Sequence, residues 1–506
     1  MDKPNPSEPG DQNPLDANAS ETGQTQLLQI RRDKLAALRQ RGIEPFGGRY
    51  DRTHHARDVI AHYPTNDGDT VRVAGRLMAQ RVHGKAAFID VRDLSGRVQV
   101  YGRVDALGEQ GYADFLDLDI GDLVGVEGTV FKSRRGEISI AAAQVTLLAK
   151  SLRPLPEKWH GLRDVDLRYR QRYVDLIVNA EVRETFLKRS AIIRAIRSYL
   201  DQRGFIEVET PILQTLAGGG HARPFATHHN ALDMQLYLRI ALELFHKRLL
   251  VGGFERVYEV GRCFRNEGIS TKHNPEFTML ELYQAYADYH DMMELVEGMF
   301  SEVAQAVLGA MVFDYQGQVI DLTPPWPRIP MMTAMRQYAG VDWEHMPDDE
   351  TARADARRLG LEIDPKATAG VIFDGVWSEL VEPHLTGPVF ITDYPVEISP
   401  LAKRRADDPR LTYRFEGFIC GFEVCNAFSE LNDPLDQRER FVQQAEEKAK
   451  GNEEAHVYDE DFVVSLEYGM PPAGGLGAGV DRLVMLLTNS ASLRDVILFP
   501  VMRPRP

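Results

Sequence analysis

The sequence predicts a two-domain chain, a small closed β domain followed by an α+β domain built on an antiparallel sheet. Three observations carry this. The 506 residues exceed what one hydrophobic core organises, so at least two cores are expected. Five short runs rich in β-branched and aromatic residues recur between Val71 and Leu148, split by HGK, SG and RRG turn signals. Beyond them, helix-period and strand-period segments alternate around a long hairpin at Arg256 to Tyr289, RVYEVGRCFRNEGISTKHNPEFTMLELYQAYADY.

In chain order, residues 1–24 are poor in large apolar groups and rich in Pro, Asn, Asp, Ser and Gln, which predicts a disordered tail. Thr25 to Arg41 places Leu27, Leu28, Ile30, Leu35 and Leu38 against Arg31, Arg32, Lys34, Arg39 and Arg41 and stops at Gly42. This is a basic amphipathic helix, suited equally to packing or to touching a polyanion. The five β runs VRVAGRLMAQRV, AAFIDVRDL, RVQVYGRV, LVGVEGTVF and EISIAAAQVTLL best fit an oligonucleotide-binding barrel, so the first domain spans 25–150. In it Arg72, Arg76, Arg81, Lys85, Arg92 and Arg97 interleave with Phe88 and Tyr101, offering charge for phosphates and rings for unstacked bases. Residues 151–180, with Pro154 and Pro156, are expected as a linker. The second domain, 181–506, opens with a helix at Glu181 to Gln202, then the strand FIEVETP, the glycine loop LAGGGHARPF and the strand MQLYLRI. It carries a helical insertion at about 331–386, resumes its sheet at VFITDYPVEISP and RFEGFICGFEVCNAFSEL, and closes with GGLGAGV, expected as a glycine loop feeding the helix DRLVMLLTN.

Composition narrows the function. The net charge of −16 argues against sequence-blind polyanion binding over the whole surface. Cys263, Cys420 and Cys425 form no CxxC pair or disulfide framework, which fits a reducing compartment. No apolar run is long enough to span a membrane, and Met1 to Gly23 has no signal-peptide core, so no membrane association is expected. No HExxH, GxSxG or GxxxxGK pattern occurs, so the chemistry is expected to rest on positioning and electrostatics.

The hairpin holds the sharpest signal. By the period-two rule Phe277, Met279, Glu281 and Tyr283 share one face, and an acid and a phenol among apolar groups call for a pocket. The loop packs Arg265, Asn266, Glu267, Lys272, His273 and Asn274 within ten residues, suited to a phosphate-bearing ligand. Asn426, Phe428 and Glu430 share a strand face, whereas Glu423 has the wrong parity and requires a turn or bulge. With Glu243, Glu281 and Glu416 this makes five strand-borne carboxylates. Uncompensated burial of each costs on the order of several kcal/mol, so buried ones must meet cations, Mg²⁺ or a cationic substrate; the alternative is that some face water at strand edges or pair with local arginines such as Arg239 and Arg262. Arg265 and Arg482 are the basic counterparts, and Arg482 at a helix start opposes the dipole, which favours a ligand role.

At these residues the chain resembles the class II lysyl-tRNA synthetases of the aspartate/asparagine/lysine subgroup, from about residue 25 to 506. GFIEVETP is similar to motif 1, FRNEGISTKHNPEFTMLELY to motif 2 and GLGAGVDR to motif 3, while NAFSELND and HGLRDVDLRYRQRYVDL resemble the lysine branch. The resemblance implies an OB-fold anticodon-binding domain ahead of a class II catalytic domain, with its antiparallel sheet flanked by helices. It also implies a cytoplasmic homodimer acting on L-lysine, ATP and tRNA(Lys) with Mg²⁺. Carried over by residue, Arg265 and Arg482 are catalytic. Arg265, Glu267, His273, Asn274, Phe277 and Arg482 bind ATP, and Glu416 with Glu423 holds Mg²⁺. Gly219 and Glu243 take the α-amino group of lysine, Glu281, Tyr283 and Glu430 take its ε-ammonium, and Asn426 and Phe428 complete the pocket. Phe88 stacks on an anticodon base whose edges Arg81, Gln99 and Glu137 read.

Two positions depart from the family pattern: Leu242 stands where proline is common, and His221 where a small residue is. Three competing readings remain. An aspartate or asparagine enzyme requires a basic group where this chain has Glu281 and Glu430. A lysine-transferring protein modifier of the same fold lacks the barrel. A catalytically dead RNA-binding relative is expected to have lost Arg265, Glu423 or Arg482.

Overall fold

The computed structural model describes residues 14–156, 162–220, 222–364, 367–449 and 457–505. These fall into two compact units, the first ending at Leu162 and the second beginning at Arg163.

The first unit contains helices α1 (Pro14–Gln40) and α2 (Ala56–Ala61) and a barrel of β1 (Thr70–His83), β2 (Ala86–Arg92), β3 (Arg97–Arg103), β4 (Leu123–Lys132) and β5 (Ile138–Ala149). The barrel closes in the order β1-β2-β3-β5-β4, with β3 and β5 parallel. Alternating residues such as Val71, Val73, Ile89, Val91, Val100, Val126 and Ile140 fill its interior. Helix α3 (Val104–Asp117), between β3 and β4, was not expected; only Tyr112 and Phe115 bury deeply, too few for a helical period. The first 13 residues of the expected tail lie outside the described residues, but its remainder is helical: α1 begins at Pro14 rather than Thr25. On α1, Arg31 is buried and donates to the carbonyls of Ser151, Arg153 and Ile120, while Lys34 pairs with Asp119 at 2.9 Å. These basic groups serve packing.

The second unit starts with α4 (Val165–Arg170), α5 (Arg172–Val178) and α6 (Ala180–Asp201), so much of the stretch expected as a linker is helical. The reason is polar rather than apolar. Arg172, 1% exposed, pairs with the fully buried Asp175 at 2.5 Å and donates to the carbonyl oxygens of Arg494 and Leu498, a pattern that hydrophobic periodicity cannot report. The chain continues through β6 (Ile206–Glu207), β7 (Leu213–Gln214), β8 (Ala226–His229), β9 (Met234–Leu238), α7 (Glu243–Val251), β10 (Arg256–Phe264), β11 (Glu276–Ala285) and α8 (Tyr289–Leu308). A small hairpin, β12 (Val312–Tyr315) and β13 (Gln318–Asp321), precedes β14 (Arg328–Pro330). Helices α9 (Met331–Ala334), α10 (Asp349–Arg358) and α11 (Ala369–Val376) lie in the stretch expected as a helical insertion, and Met335, Trp343, Phe373 and Trp377 pack there in one cluster with Val389, Ile391 and Phe418 of the sheet. Then follow β15 (Val389–Thr392), β16 (Arg414–Ile419), β17 (Phe422–Ser429), α12 (Pro434–Ala449), α13 (Glu460–Glu467), β18 (Ala473–Gly479) and α14 (Val480–Thr488).

The large sheet runs β14-β15-β16-β17-β18-β11-β10-β6. It is antiparallel from β15 to β10, and the β14–β15 and β10–β6 edge pairs are parallel, so the sheet is mixed. One face packs on α6, α8 and α14 through Ile192, Ile196, Met292, Phe300 and Leu483. The segment expected as a glycine loop is the central strand β18, extended between β17 and β11. Gly475 lies between Tyr283 and Phe428, and Gly477 between Glu281 and Asn426. Glycine is needed there because neighbouring side chains lie over the strand: a Cβ on Gly475 would sit 1.8 Å from Glu430 Oε1 and 2.6 Å from the Tyr283 ring.

Candidate active site

The opposite face of β11, β17 and β18 floors a cavity of about 330 Å³. Strand period brings Phe277, Met279, Glu281 and Tyr283 of β11 to its wall, and Asn426, Phe428 and Glu430 from β17 and the residue after it. The parity problem at Glu423 is solved by a bulge: Gly417 pairs with Cys425 but Phe418 with Glu423, leaving Val424 extra. The tight turn is at Cys420 (φ +54) and Gly421 (φ +66), a pair of left-handed residues joining β16 to β17. Gly219, Glu243, Arg265, Glu267, His273, Asn274 and Arg482 also line the cavity; Glu416 does not. His221 lies outside the described residues.

At one end three carboxylates converge, Glu243, Glu281 and Glu430, with 7%, 3% and 1% of their surfaces exposed. Burial, reinforced by Glu243, pushes the Glu281 carboxyl up to about 7. Glu281 Oε1 accepts from the Leu242 amide at 3.0 Å and Oε2 from the Tyr283 hydroxyl at 3.1 Å. Proline at position 242 would carry no such donor. Burial raises the Tyr283 phenol well above its ordinary value, so it stays a donor. Gly219, at φ +85, brings its backbone over Glu243, to whose Cβ its own would approach within 3.3 Å. Lys247, one helical turn after Glu243, pairs at 2.5 Å with both Glu243 and Glu430. The local arginines considered as partners serve other acids: Arg239 meets Glu259 at 2.6 Å and Arg262 meets Glu276 at 3.6 Å.

At the other end the β10–β11 loop folds back through the Arg265 amide, which donates to the Pro275 carbonyl. The Arg265 guanidinium lies 5.2 Å from the Phe277 ring centre, and its buried Nε has no hydrogen-bond partner in the structure. Asn274 donates to the Glu276 carbonyl at 2.6 Å and holds the loop. Burial, then Arg482, Arg265 and Lys272, push the His273 imidazole below its ordinary value, so it presents a neutral ring. Arg482 donates to the backbone carbonyl of Glu423 and meets its carboxylate at 3.2 Å. Its neighbour Asp481 accepts from the Thr278 amide at 2.8 Å and pairs with Arg189 at 2.6 Å, fixing α14 against β11. Glu416 is held by Arg414 at 2.7 Å and Tyr394 at 2.9 Å, and burial together with the charge of Glu423 pushes it up to about 7. Burial pushes Cys263 up to about 12, consistent with a site without a thiolate nucleophile.

Residues 164–503 match the family described as tRNA synthetases class II (D, K and N), and residues 71–148 match the OB-fold nucleic acid binding domain. The chain belongs to the class II tRNA synthetases of the D, K and N family. Among proteins similar to it, the lysine-tRNA ligase of Moorella thermoacetica is 62% identical over 479 residues, 95% of this chain and 98% of that one. The lysine-tRNA ligase of Pelotomaculum thermopropionicum is 60% identical over 493 residues, 97% of both chains. That of Clostridium botulinum strain Loch Maree is 53% identical over 493 residues, 97% of this chain and 98% of that one.

In the barrel of this synthetase, neighbouring strands bring the sequence-predicted base readers together. Phe88 stacks on Tyr101 at 4.8 Å, and Phe131 continues the row at 5.9 Å from Tyr101. Beside them runs a polar chain: Arg81 to Asp90 (3.0 Å), Arg97 to Asp90 (3.1 Å), Arg97 to Glu137 (3.0 Å), Gln99 to Glu137 (2.9 Å) and Ser139 to Gln99 (3.0 Å). Arg72 and Arg76 instead donate to the carbonyls of Asp51 and Gly121 and support the barrel. Sequence reasoning missed Lys247, Arg414 and Tyr394. Only Lys247 left a trace, the i, i+4 Glu-to-Lys spacing on a helix.

Proposed function

We propose that the chain activates L-lysine with ATP to lysyl-adenylate and transfers lysine to the 3'-terminal ribose of tRNA(Lys). The observation that carries this reading is the amino-acid end of the cavity, where Glu243, Glu281 and Glu430 converge and the fully buried Glu430 Oε1 has no partner in the protein. A buried acceptor of this kind needs a cation, and the ε-ammonium of lysine supplies it. A side-chain carboxylate in its place would be repelled by three acids, of which Lys247 balances one charge. The 53 to 62% identity to lysine-tRNA ligases supports the same choice.

In the first step a lysine carboxylate oxygen attacks the α-phosphorus of ATP, a mixed anhydride forms and pyrophosphate leaves. Arg265 spans carboxylate and α-phosphate and balances the charge that grows between them; its buried Nε suits an oxyanion acceptor. Phe277 and Arg482 hold the adenine between them, Glu267 accepts from its amino edge, and His273 donates to the outer phosphates. Asn274 keeps this loop in register. In the second step the 3'-hydroxyl of the terminal ribose attacks the lysyl carbonyl carbon and AMP leaves. The residues present also fit Mg²⁺: Glu416 and Glu423 are hard oxygen donors on adjacent strands, and the charge of Glu423 helps to raise Glu416, a repulsion that a cation relieves. Two side chains leave the remaining ligands of such an ion to phosphate and water, since no group of three or more His, Cys, Asp or Glu side chains among the described residues is placed to hold a metal ion. Bound there, Mg²⁺ would shield the phosphates from one another.

Phe88 stacks on an anticodon base whose edges meet Arg81, Gln99 and Glu137. Homodimerisation belongs to the same reading, supported by the exposed apolar side chains of Ile206, Ile212, Leu213 and Leu216 around motif 1. None of the described helices is long and apolar enough to cross a membrane. A cytoplasmic site of action follows from the proposed role in translation. The direct test is steady-state kinetics of Glu430→Gln. Its KM for lysine should rise at least tenfold while its KM for ATP stays within twofold; equal rises would remove Glu430 from the ammonium site.

A further inference from the structure

Lys247 does not line the cavity but lies directly behind its amino-acid end, paired to two of the acids that do, Glu243 and Glu430. Its side chain is fully buried, and its ammonium lies 2.5 Å from Glu243 Oε1 and 2.5 Å from Glu430 Oε2, with the Phe428 and Phe462 rings at 5.4 and 5.9 Å. It therefore bridges two acids that reach the pocket from different elements, Glu243 at the start of α7 and Glu430 just beyond β17. Glu430 is thereby divided in function: Oε2 faces Lys247, and Oε1 lies against the Gly475 backbone with no hydrogen-bond partner in the protein.

Charge makes the arrangement more than a brace. With all three acids ionised, Glu243, Glu281 and Glu430 together with Lys247 leave this end of the cavity with two negative charges. Free lysine brings two ammonium groups. Without Lys247 a third buried charge would have no partner, and the acids would take up a proton and lose it as an acceptor for substrate.

We propose that Lys247 is a positioning residue for lysine selection, an internal ammonium that bridges Glu243 and Glu430, fixes them in their binding geometry and sets the pocket charge to match the two ammonium groups of the substrate. The inference rests on the assignment of this cavity to lysine. Binding of substrate, not chemistry on the phosphate, is what Lys247 controls, because it touches none of the groups assigned to ATP.

The test is lysine-dependent ATP–pyrophosphate exchange by the full-length protein, comparing wild type with Lys247→Met, Lys247→Gln and Lys247→Arg. Met keeps the stem and removes the charge; Gln keeps a hydrogen-bond donor without the charge and is read in place of Met should that variant fail to fold. Thermal melting records folding in each. The expected result is a KM for lysine raised at least tenfold in the neutral variants, with KM for ATP within twofold of wild type and partial recovery in Lys247→Arg. An unchanged lysine KM, or lysine and ATP constants that worsen together, overturns the proposal. Absence of exchange with lysine in the wild type would instead overturn the assignment of the cavity.

Discussion

Glu281 shows how one buried residue turns a sheet face into a sensor of charge. Burial and the neighbouring Glu243 raise its carboxyl to about 7, while the Leu242 amide, the Tyr283 hydroxyl and Arg265 pull the other way. An acid whose folded value lies above its unfolded one binds more protons when folded, so its ionisation destabilises the ligand-free protein as pH rises through the interval up to about 7. Substrate lysine brings the cation that offsets this ionisation. The stabilisation of the protein by saturating lysine, read as a thermal shift, should therefore be larger at pH 8 than at pH 6, and a shift independent of pH would count against Glu281 as an ammonium ligand. The glycine beside Tyr283 on the neighbouring strand gives a second residue-scale prediction. Gly475→Ala places a methyl group against Glu430 and Tyr283, so lysine-dependent exchange should fall at least a hundredfold, whereas Gly253→Ala, whose Cβ meets nothing within 4 Å, should leave it within a few-fold even though its φ is +95. The acids and their parity were legible in the sequence because strand period is a local rule. Lys247, Arg414 and Tyr394 were not, because what each does depends on partners brought close by the fold.

At the scale of elements, a hairpin, a bulged strand and a glycine strand divide the work. The β10–β11 loop carries Arg265, Glu267 and His273; β11 carries Phe277 at one end and Glu281 with Tyr283 at the other; β17 and its bulge let Glu423 and Glu430 both reach the cavity. The hairpin and the need for a bulge could be read from alternation, and the turn at Cys420 and Gly421 from its glycine. β18 could not, since a strand of small residues has no alternation to detect, and its reason for being glycine lies in side chains from β11 and the residue after β17. The barrel predicts a separable effect. Phe88→Ala removes one face of the Phe88–Tyr101 stack, a contact whose loss with a base costs about 1–3 kcal/mol. Its KM for tRNA should rise about tenfold or more while ATP–pyrophosphate exchange, which needs no tRNA, stays at the wild-type level. A loss of exchange in Phe88→Ala would contradict the division of labour.

For the whole molecule, the boundary between the two units falls at Leu162/Arg163, inside the stretch expected as a linker, while a closed barrel in the first and a sheet flanked by helices in the second are the architectures that the sequence predicts. Length and strand spacing sufficed for that much. Helices α3, α4 and α5 escaped because they are held by a few aromatics or by the buried Arg172–Asp175 pair, not by an apolar stripe. A pocket lined by three buried acids at the centre of the large sheet selects an amino acid with two ammonium groups for adenylation. The most direct measurement is ATP–pyrophosphate exchange by the purified protein with each of the proteinogenic amino acids in turn. Strong exchange with lysine, and rates with aspartate and asparagine at the level of the amino-acid-free control, is the predicted result; strong exchange with aspartate or asparagine and none with lysine would contradict the account.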